Sequence, residues 1–263
     1  MKNLDLKKLA VFIGIIAAII VAIILLVVGL GKNNKLSNEE TEKVNNYILN
    51  NIIELTEGYD TKYKGNDILF ASDNVQISKL SAPIIINSAV KYASLNDWTK
   101  TIPSYKVNQA AAQGFSKEKY AIYEGEVIRK AIKELYNIDF KNENAIDLIG
   151  YRYNYYYLPD IDVYMKETKQ ILINKDGYGV EHKIVESTKK EDKLIVTIAV
   201  AYTYNDGEKI YYSNDSNNTN IIFEAEKNKP GIIKDKINSF NKYKLTFTQD
   251  KERVYFESIE KIK

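Results

Sequence analysis

Cysteine is absent from this sequence of 263 residues, and histidine occurs only once, as His182. The absence of cysteine excludes disulfide bonds, thiolate nucleophiles and zinc sites built on cysteine. With a single histidine, a metal site made of several histidines is impossible, and a Ser-His-Asp triad would have to use His182. The phosphate-binding loop, the dinucleotide-binding glycine motif, the GxSxG motif and the HExxH motif are also missing. These absences argue against the common nucleotide-dependent and hydrolytic enzymes.

The chain also lacks a large excess of charge of either sign. Lysine and arginine together number 37 and aspartate and glutamate 35, so the formal net charge is +2. The basic excess lies in the first 35 residues, which leaves the remainder nearly neutral. A nucleic-acid-binding domain is expected to carry a basic face. We therefore expect no nucleic acid partner, and the sequence indicates no cofactor and no metal site.

What the sequence does contain is one long apolar run, from Leu9 to Leu30, without a charged residue. As a helix, at about 1.5 Å per residue, it reaches roughly 33 Å, enough for a hydrocarbon core of about 30 Å. A buried core helix and a cleaved signal peptide are the alternatives, but both usually have shorter apolar segments. We predict an uncleaved transmembrane signal-anchor over residues 9–31, in which residues 9–30 contact the membrane lipid bilayer.

The lysines beside this run predict its orientation. Three lysines precede it and two follow it closely, so the bias toward a cytoplasmic N-terminus is small. Residues 1–8 then form a short cytoplasmic end, which is too small for a domain. We expect a single-pass protein of the cell membrane whose C-terminal part is extracellular.

Three helices are predicted after the anchor. Ser37 and Glu40 have capping-box spacing at the start of the first. Pro83 lies in the first turn of the second, where its missing N–H is tolerated. A third helix is predicted over residues 116–135, with Gly125 inside it as a point of close packing.

From Asn137 onward the apolar residues alternate, which is typical of strands. Two hairpins are predicted at Asp-Gly turns, Asp176-Gly177 and Asp206-Gly207. The predicted strands cover residues 170–174, 178–186, 194–204, 210–212, 243–247 and 254–262.

Helices followed by a run of strands predict an α+β fold. We expect one curved antiparallel sheet with helices packed on one face, because an amphipathic sheet must bury that face. The chain after the anchor divides into a juxtamembrane and helical region, residues 32–110, and an α+β domain with the antiparallel sheet, residues 111–263.

The closing segment, YKLTFTQDKERVYFESIEKI, runs from Tyr243 to Ile262. Together with the helix-then-strand order of residues 110–263, it resembles the NTF2-like and cystatin-like group, especially uncharacterised membrane-anchored proteins of low-GC Gram-positive bacteria. The resemblance implies a helical layer packed into a curved antiparallel sheet, and an extracytoplasmic interaction or ligand-binding module. It gives no residue a role, because this kind of fold hosts many functions.

The segment GYRYNYYYLPDIDVY is rich in tyrosine. In a strand Tyr151, Tyr153, Tyr155 and Tyr157 share one side. A row of exposed aromatic rings suits sugar rings or peptide strands, so these four are candidate ligand-binding residues. The alternative is an ordinary strand, since the 21 tyrosines are spread over the chain and tyrosine favours strands.

Two aspartates follow the tyrosines. If the strand continued, Asp160 and Asp162 would point to the same face and could act as an acid/base pair or hold a hard cation. The alternative is a turn, for which Pro-Asp is a common dipeptide. His182 alternates with apolar residues in its strand, where a structural role competes with a catalytic one.

We predict a membrane-anchored extracytoplasmic module that binds a cell-wall polymer or an envelope protein. We expect no catalytic residues, and we expect the ligand to bind near the four tyrosines and the two aspartates. One alternative is a hydrolase-like envelope enzyme that uses Asp160 and Asp162 with His182 in the sheet concavity. Another is a subunit whose role is only to dock.

Overall fold

The computed structural model describes residues 35–53, 74–99, 101–146, 153–168, 177–215, 218–226 and 236–262. In these ranges four helices pack with a seven-stranded antiparallel sheet and a small three-stranded sheet. The predicted α+β class is therefore confirmed. The predicted membrane segment, the predicted strand 170–174 and Tyr151 lie outside the described residues.

The first two helices begin at their predicted signals. The Ser37 hydroxyl accepts the Glu40 N–H at 3.2 Å, and the Glu40 carboxylate accepts the Ser37 N–H at 2.9 Å, which completes the capping box. Pro83 stands in the first turn of the second helix, as expected. The helical segments are α1 (Asn38–Tyr47), a π-helical turn (Ile48–Ile53), α2 (Ala82–Leu95), α3 (Ser104–Ala112) and α4 (Gly125–Tyr136).

The predicted third helix is wrong in its first half. Residues 120–124 form a strand, and helix α4 begins only at Gly125. Tyr120 and Tyr123 fit a helical spacing, but aromatic residues also favour strands, and here pairing with a neighbouring strand decides the outcome. Gly125 is the point at which the chain changes from strand to helix, and its N–H donates to the Asp162 carbonyl at 2.8 Å.

Ten strands are described, and all of them pair antiparallel. The strands are β1 (Asn74–Gln76), β2 (Tyr120–Glu124), β3 (Tyr153–Leu158), β4 (Val163–Thr168), β5 (Tyr178–Lys190), β6 (Lys193–Asn205), β7 (Lys209–Ser213), β8 (Ile221–Glu226), β9 (Asn241–Gln249) and β10 (Val254–Ile262). The large sheet has the order β1-β10-β9-β6-β7-β8, with β5 also paired to β6, and the small sheet has the order β2-β4-β3. The expected single sheet is thus wrong.

Strand β6 is the centre of the large sheet. Residues 193–204 of this strand pair with β5 on one edge. On its other edge, residues 193–200 pair with β9 and residues 202–205 pair with β7. Alternating apolar residues of β6, from Leu194 to Val200, are buried on one face, as the sequence predicts.

The main core lies between that face and helices α1, α2 and α4. Ile48 and Ile52 of the π-helical turn, Ile86 of α2 and Ile132 of α4 have no exposed surface. A second cluster, around Met165, fills the outer side of the small sheet, and a third, around Tyr212, lies on the opposite face of the large sheet. The helices therefore cover one face of the sheet, which is the layered arrangement expected of an α+β fold.

Among the residues that the structure describes, no helix has the length and apolar character needed to cross a bilayer.

Candidate functional site

The tyrosine-rich strand β3 divides its side chains between two cores. Tyr155 and Tyr157 face the main core, whereas Tyr156 packs against Phe115 and Tyr120 beside the small sheet. This is the alternation that the sequence predicts for a strand. Tyr153 is the first residue of β3, and its side chain lies outside the described part of the structure.

Tyr155 is part of the packing of the fold rather than an exposed ring. Its side chain has no exposed surface, and its hydroxyl donates a 2.7 Å hydrogen bond to Oδ1 of Asn87 on helix α2. A buried tyrosine usually satisfies its hydroxyl in this way. The ring therefore joins the small sheet to helix α2 and offers no surface to a ligand in this structure.

The two aspartates lie in a turn. Residues 159–162 connect β3 to β4, so Asp160 and Asp162 do not share the face of a strand. Asp160 is exposed to solvent, whereas Asp162 is partly buried and has a positive φ of 49°. The turn separates the two carboxylates into different surroundings.

Asp162 is held by Arg129 of helix α4 in a bidentate pair. The two guanidinium nitrogens donate to its two carboxylate oxygens at 2.8 and 2.9 Å, and the Tyr157 hydroxyl donates at 2.8 Å. The guanidinium is the main reason that the pKa of Asp162 falls below its ordinary value. This carboxylate is a fixed anion that ties the turn to helix α4, and it is poorly suited to exchange protons near neutral pH.

His182 bonds a different helix. Its Nε2 lies 3.0 Å from Oδ1 of Asn45 on helix α1, and its strand neighbours Val180 and Ile184 pack against the main core. Burial lowers the pKa of His182 to about 4, so the ring is neutral at pH 7. Asp162 and His182 thus hydrogen-bond to different helices, and Asp160 is exposed to solvent. The three residues of the enzyme alternative are not joined by hydrogen bonds into one catalytic group.

A cleft with a volume of about 280 Å³ is lined by both polar and apolar side chains of helices α1, α2 and α4, the π-helical turn and the segment 252–254. One wall is helix α1 with its π-helical turn, which contributes Lys43, Asn46, Asn50 and Asn51. Asn46 and Asn50 are exposed and Asn51 is partly exposed, so their amides are accessible from solvent. We call this site the amide cleft.

The opposite wall of the amide cleft is an organised set of polar groups. Glu134 of helix α4 accepts a hydrogen bond from Arg253 at 2.9 Å through one oxygen, and from the Tyr92 hydroxyl at 3.2 Å through the other. The pKa of Arg253 is raised, chiefly by its hydrogen bond to Glu134, and burial is the main cause that raises the pKa of Tyr92. Glu252 lies beside Arg253 in this wall.

The turn that carries Glu252 and Arg253 is shaped by Asp250. One carboxylate oxygen of Asp250 accepts the backbone N–H groups of both residues at 2.9 Å, and the other accepts the Tyr255 hydroxyl at 2.6 Å. The hydrogen bond from Tyr255 is the main cause that lowers the pKa of Asp250 to about 2. The wall is therefore preorganised by bonds that do not depend on a ligand.

The π-helical turn lets one segment serve both the core and the cleft. Ile48 and Ile52 have no exposed surface, while Asn50 and Asn51 between them face the cleft. Turns with i→i+5 hydrogen bonds are rare and occur often at functional sites. This feature, together with the cavity and its convergent polar groups, makes the amide cleft the candidate site.

The arrangement is suited to binding. The amides, the guanidinium and the carboxylates offer hydrogen-bond donors and acceptors around one cavity. No group of three or more His, Asp or Glu residues in the described part of the chain is placed to hold a metal ion.

Sequence reasoning did not find the amide cleft. Asn46 at the end of helix α1 and Asn50 in the π-helical turn are four residues apart, which is a weak signal in a chain rich in asparagine. Glu134 and Arg253 belong to elements far apart in the chain, and only the packing of the β9–β10 turn against helix α4 brings them together. No local pattern predicts such a pair.

Comparisons of the chain with protein-family models, with curated proteins and with solved structures found no match.

Proposed function

We propose that the chain is a membrane-anchored extracytoplasmic binding module that takes a cell-envelope ligand, or an envelope partner, in the amide cleft. The observation that carries the proposal is the cleft itself, with three amides from one helical segment facing a preorganised glutamate-arginine pair. Polar groups that converge on a cavity are the usual sign of a ligand site.

The anchor in this proposal is supported by the apolar run of residues 9–30. A run of this length without charge is typical of a transmembrane helix, and the lysines before it favour a cytoplasmic N-terminus. The folded domain then stands outside the cell, beside the envelope.

The proposal includes an NTF2-like or cystatin-like fold for this domain. The helices that precede strands β5 to β10, and their packing on one face of the large sheet, support that assignment. The binding role is supported by the fixed state of Asp162, which Arg129 holds in a bidentate pair, and by the neutral His182, which pairs with Asn45.

Because the chain has no cysteine, variants with one introduced cysteine test the location directly. Full-length variants Asn108→Cys, at an exposed position of helix α3, and Asn3→Cys, in the predicted cytoplasmic end, are expressed in a Gram-positive host. A membrane-impermeant maleimide should label the first in intact cells and the second only after lysis. The reverse pattern, or labelling of neither in intact cells, contradicts the proposed location.

Binding is tested with the full chain in detergent micelles, mixed with purified cell-wall sacculi and, separately, with extracted envelope proteins. Sedimentation with the sacculi, or a saturable complex with one envelope protein, supports the proposed function. Retention by neither preparation contradicts it.

A further inference from the structure

Resting on the proposed function, we infer that the ligand of the amide cleft is a neutral saccharide. Three properties of the cleft lead to this class of ligand: its charge, its hydrogen-bonding groups and its aromatic wall.

The cleft offers no net charge to a ligand. Two cationic side chains, Lys43 and Arg253, face two acidic ones, Glu134 and Glu252. Both cations are already in ion pairs at 2.9 Å, Lys43 with Glu39 and Arg253 with Glu134. A phosphate or carboxylate ligand would have to compete with these pairs, so an anionic polymer is disfavoured.

The hydrogen-bonding groups of the cleft are of both kinds. Each side-chain amide of Asn46, Asn50 and Asn51 offers two donors and an acceptor, while Glu134 adds acceptors and Arg253 adds donors. A ligand hydroxyl is itself both a donor and an acceptor. A ring that carries several hydroxyl groups can therefore satisfy this mixed surface, whereas an apolar ligand would leave buried polar groups without partners.

The cleft also contains an aromatic wall. The Tyr92 ring lines it, and its hydroxyl is occupied by Glu134, so the orientation of the ring is fixed. The C–H face of a sugar ring packs on an aromatic ring while its hydroxyl groups stay at the polar walls. The volume of about 280 Å³ lies just below the usual range of ligand cavities, so the cleft suits a small ligand or one unit of a larger one.

The single tryptophan provides a reporter for this wall. The Trp98 ring meets the Tyr92 ring edge to face, with their centroids 5.6 Å apart, and the Lys130 ammonium lies 3.9 Å from the Trp98 ring centroid. A ligand that packs on Tyr92 should therefore alter the fluorescence of Trp98. Because no other tryptophan contributes, the signal has one origin.

The test uses the full chain in detergent micelles, titrated with the disaccharide of N-acetylglucosamine. Trp98 fluorescence and calorimetric heat are both recorded. We expect saturable binding, and we expect the double variant Asn50→Ala/Asn51→Ala to bind about tenfold or more weakly, because lost hydrogen bonds weaken binding by about this much. The matched control, Asn108→Ala on the exposed side of helix α3, should bind as the unaltered chain does.

Two other probes, glycerol phosphate and tetraalanine, represent anionic and peptide ligands. Saturable binding of either probe with none of the disaccharide overturns the inference. So does disaccharide binding that the double variant leaves unchanged, or the absence of any binding in both measurements.

The failures of the two proposals can be told apart. If the chain sediments with wall sacculi and the double variant sediments equally well, the proposed function stands and the saccharide site in the cleft does not. If neither envelope preparation retains the chain, the proposed function itself is contradicted.

Discussion

The backbone N–H of Gly125 donates a 2.8 Å hydrogen bond to the carbonyl oxygen of Asp162, which brings the first residue of helix α4 directly against the β3–β4 turn. The contact requires glycine because a Cβ atom on residue 125 would lie 2.0 Å from Oδ1 of Asp162. That carboxylate cannot easily move aside, since Arg129 holds both of its oxygens. The contact between the small sheet and the helical layer thus depends on the absence of a side chain at residue 125.

Replacing this glycine tests the contact. We expect Gly125→Ala to lower the free energy of unfolding by about 1–3 kcal/mol, because the new methyl group must displace a paired carboxylate. Urea unfolding of the full chain in micelles, followed by Trp98 fluorescence, measures the change. The control is Gly179→Ala in strand β5, where the added Cβ would meet only the Thr203 hydroxyl at 2.9 Å. An equal loss in both variants would contradict the specific clash.

The ion pair of Asp162 predicts a pH-dependent contribution to stability. Asp162→Asn should reduce the free energy of unfolding at pH 7 by about 1 kcal/mol, a modest value because both side chains are partly exposed. The pKa of Asp162 is lowered in the folded state, so its contribution is present above the unfolded-state pKa and is lost as the pH falls through the folded pKa. The two chains should therefore approach equal stability in strong acid.

The neighbouring aspartate is the control for this measurement. Asp160 lies exposed in the same turn, so Asp160→Asn should leave the stability within about 0.5 kcal/mol. A loss for Asp160→Asn as large as that for Asp162→Asn would show that the turn, and not the pair with Arg129, is responsible.

Tyr155→Phe tests whether the tyrosine strand is part of the core. The change removes the hydroxyl that donates to Asn87, and it leaves a buried amide oxygen without this donor. We expect a loss of about 1–3 kcal/mol in the free energy of unfolding. Tyr105→Phe, at a residue that is 59% exposed, should have little effect. Equal effects at the two positions would argue against the structural role of Tyr155.

Glu181 of strand β5 predicts a stabilising substitution. Its Oε2 is buried and finds no hydrogen-bond partner in the described part of the chain, while the Tyr212 hydroxyl donates to Oε1 at 3.3 Å. Burial is the main cause that raises the pKa of Glu181. The charged carboxylate therefore destabilises the fold, and the free energy of unfolding falls as the pH rises from the unfolded-state pKa through the raised folded-state pKa. Glu181→Gln should therefore stabilise the protein at pH 7 by roughly 0.5–1 kcal/mol.

That gain should disappear in acid, below the unfolded-state pKa of about 4.3, where both states of the unaltered protein carry the proton. Glu186→Gln is the matched control, since Glu186 is exposed on the same strand. A Glu181→Gln protein that is less stable than the unaltered chain at pH 7 would contradict this explanation.

His182 predicts a separate acid sensitivity. Its folded pKa of about 4 lies below the unfolded value of about 6.5, so the unfolded chain binds the proton first. Stability should therefore fall as the pH drops through this window, by about 1–2 kcal/mol after allowance for partial solvent access. His182→Gln should show a smaller fall between pH 6.5 and 4 in parallel unfolding curves. Identical slopes in the two proteins would rule out His182 as the cause.

Much of the fold is predictable because its signals are local. The capping box at Ser37, the proline in the first turn of α2 and the Asp-Gly turn after β6 each act through the chain's own neighbours. The alternating apolar residues of β6, β9 and β10 likewise indicate strands with one buried face. The errors occur where two periodicities fit the same residues, as at 120–124, or where the residues carry little pattern, as in helix α3, which is not among the predicted helices.

The sequence by itself determined the α+β class, the signals that begin helices α1 and α2, and the alternation that sends Tyr155 and Tyr156 to opposite sides of their strand. Only the tertiary structure decided that Tyr155 is buried against Asn87, that Asp162 is paired with Arg129, and that Glu134 meets Arg253 in one wall of the amide cleft. The reason is physical. Backbone propensity and side-chain period act over a few residues, whereas the partner of a charge or a buried hydroxyl depends on which distant elements pack together.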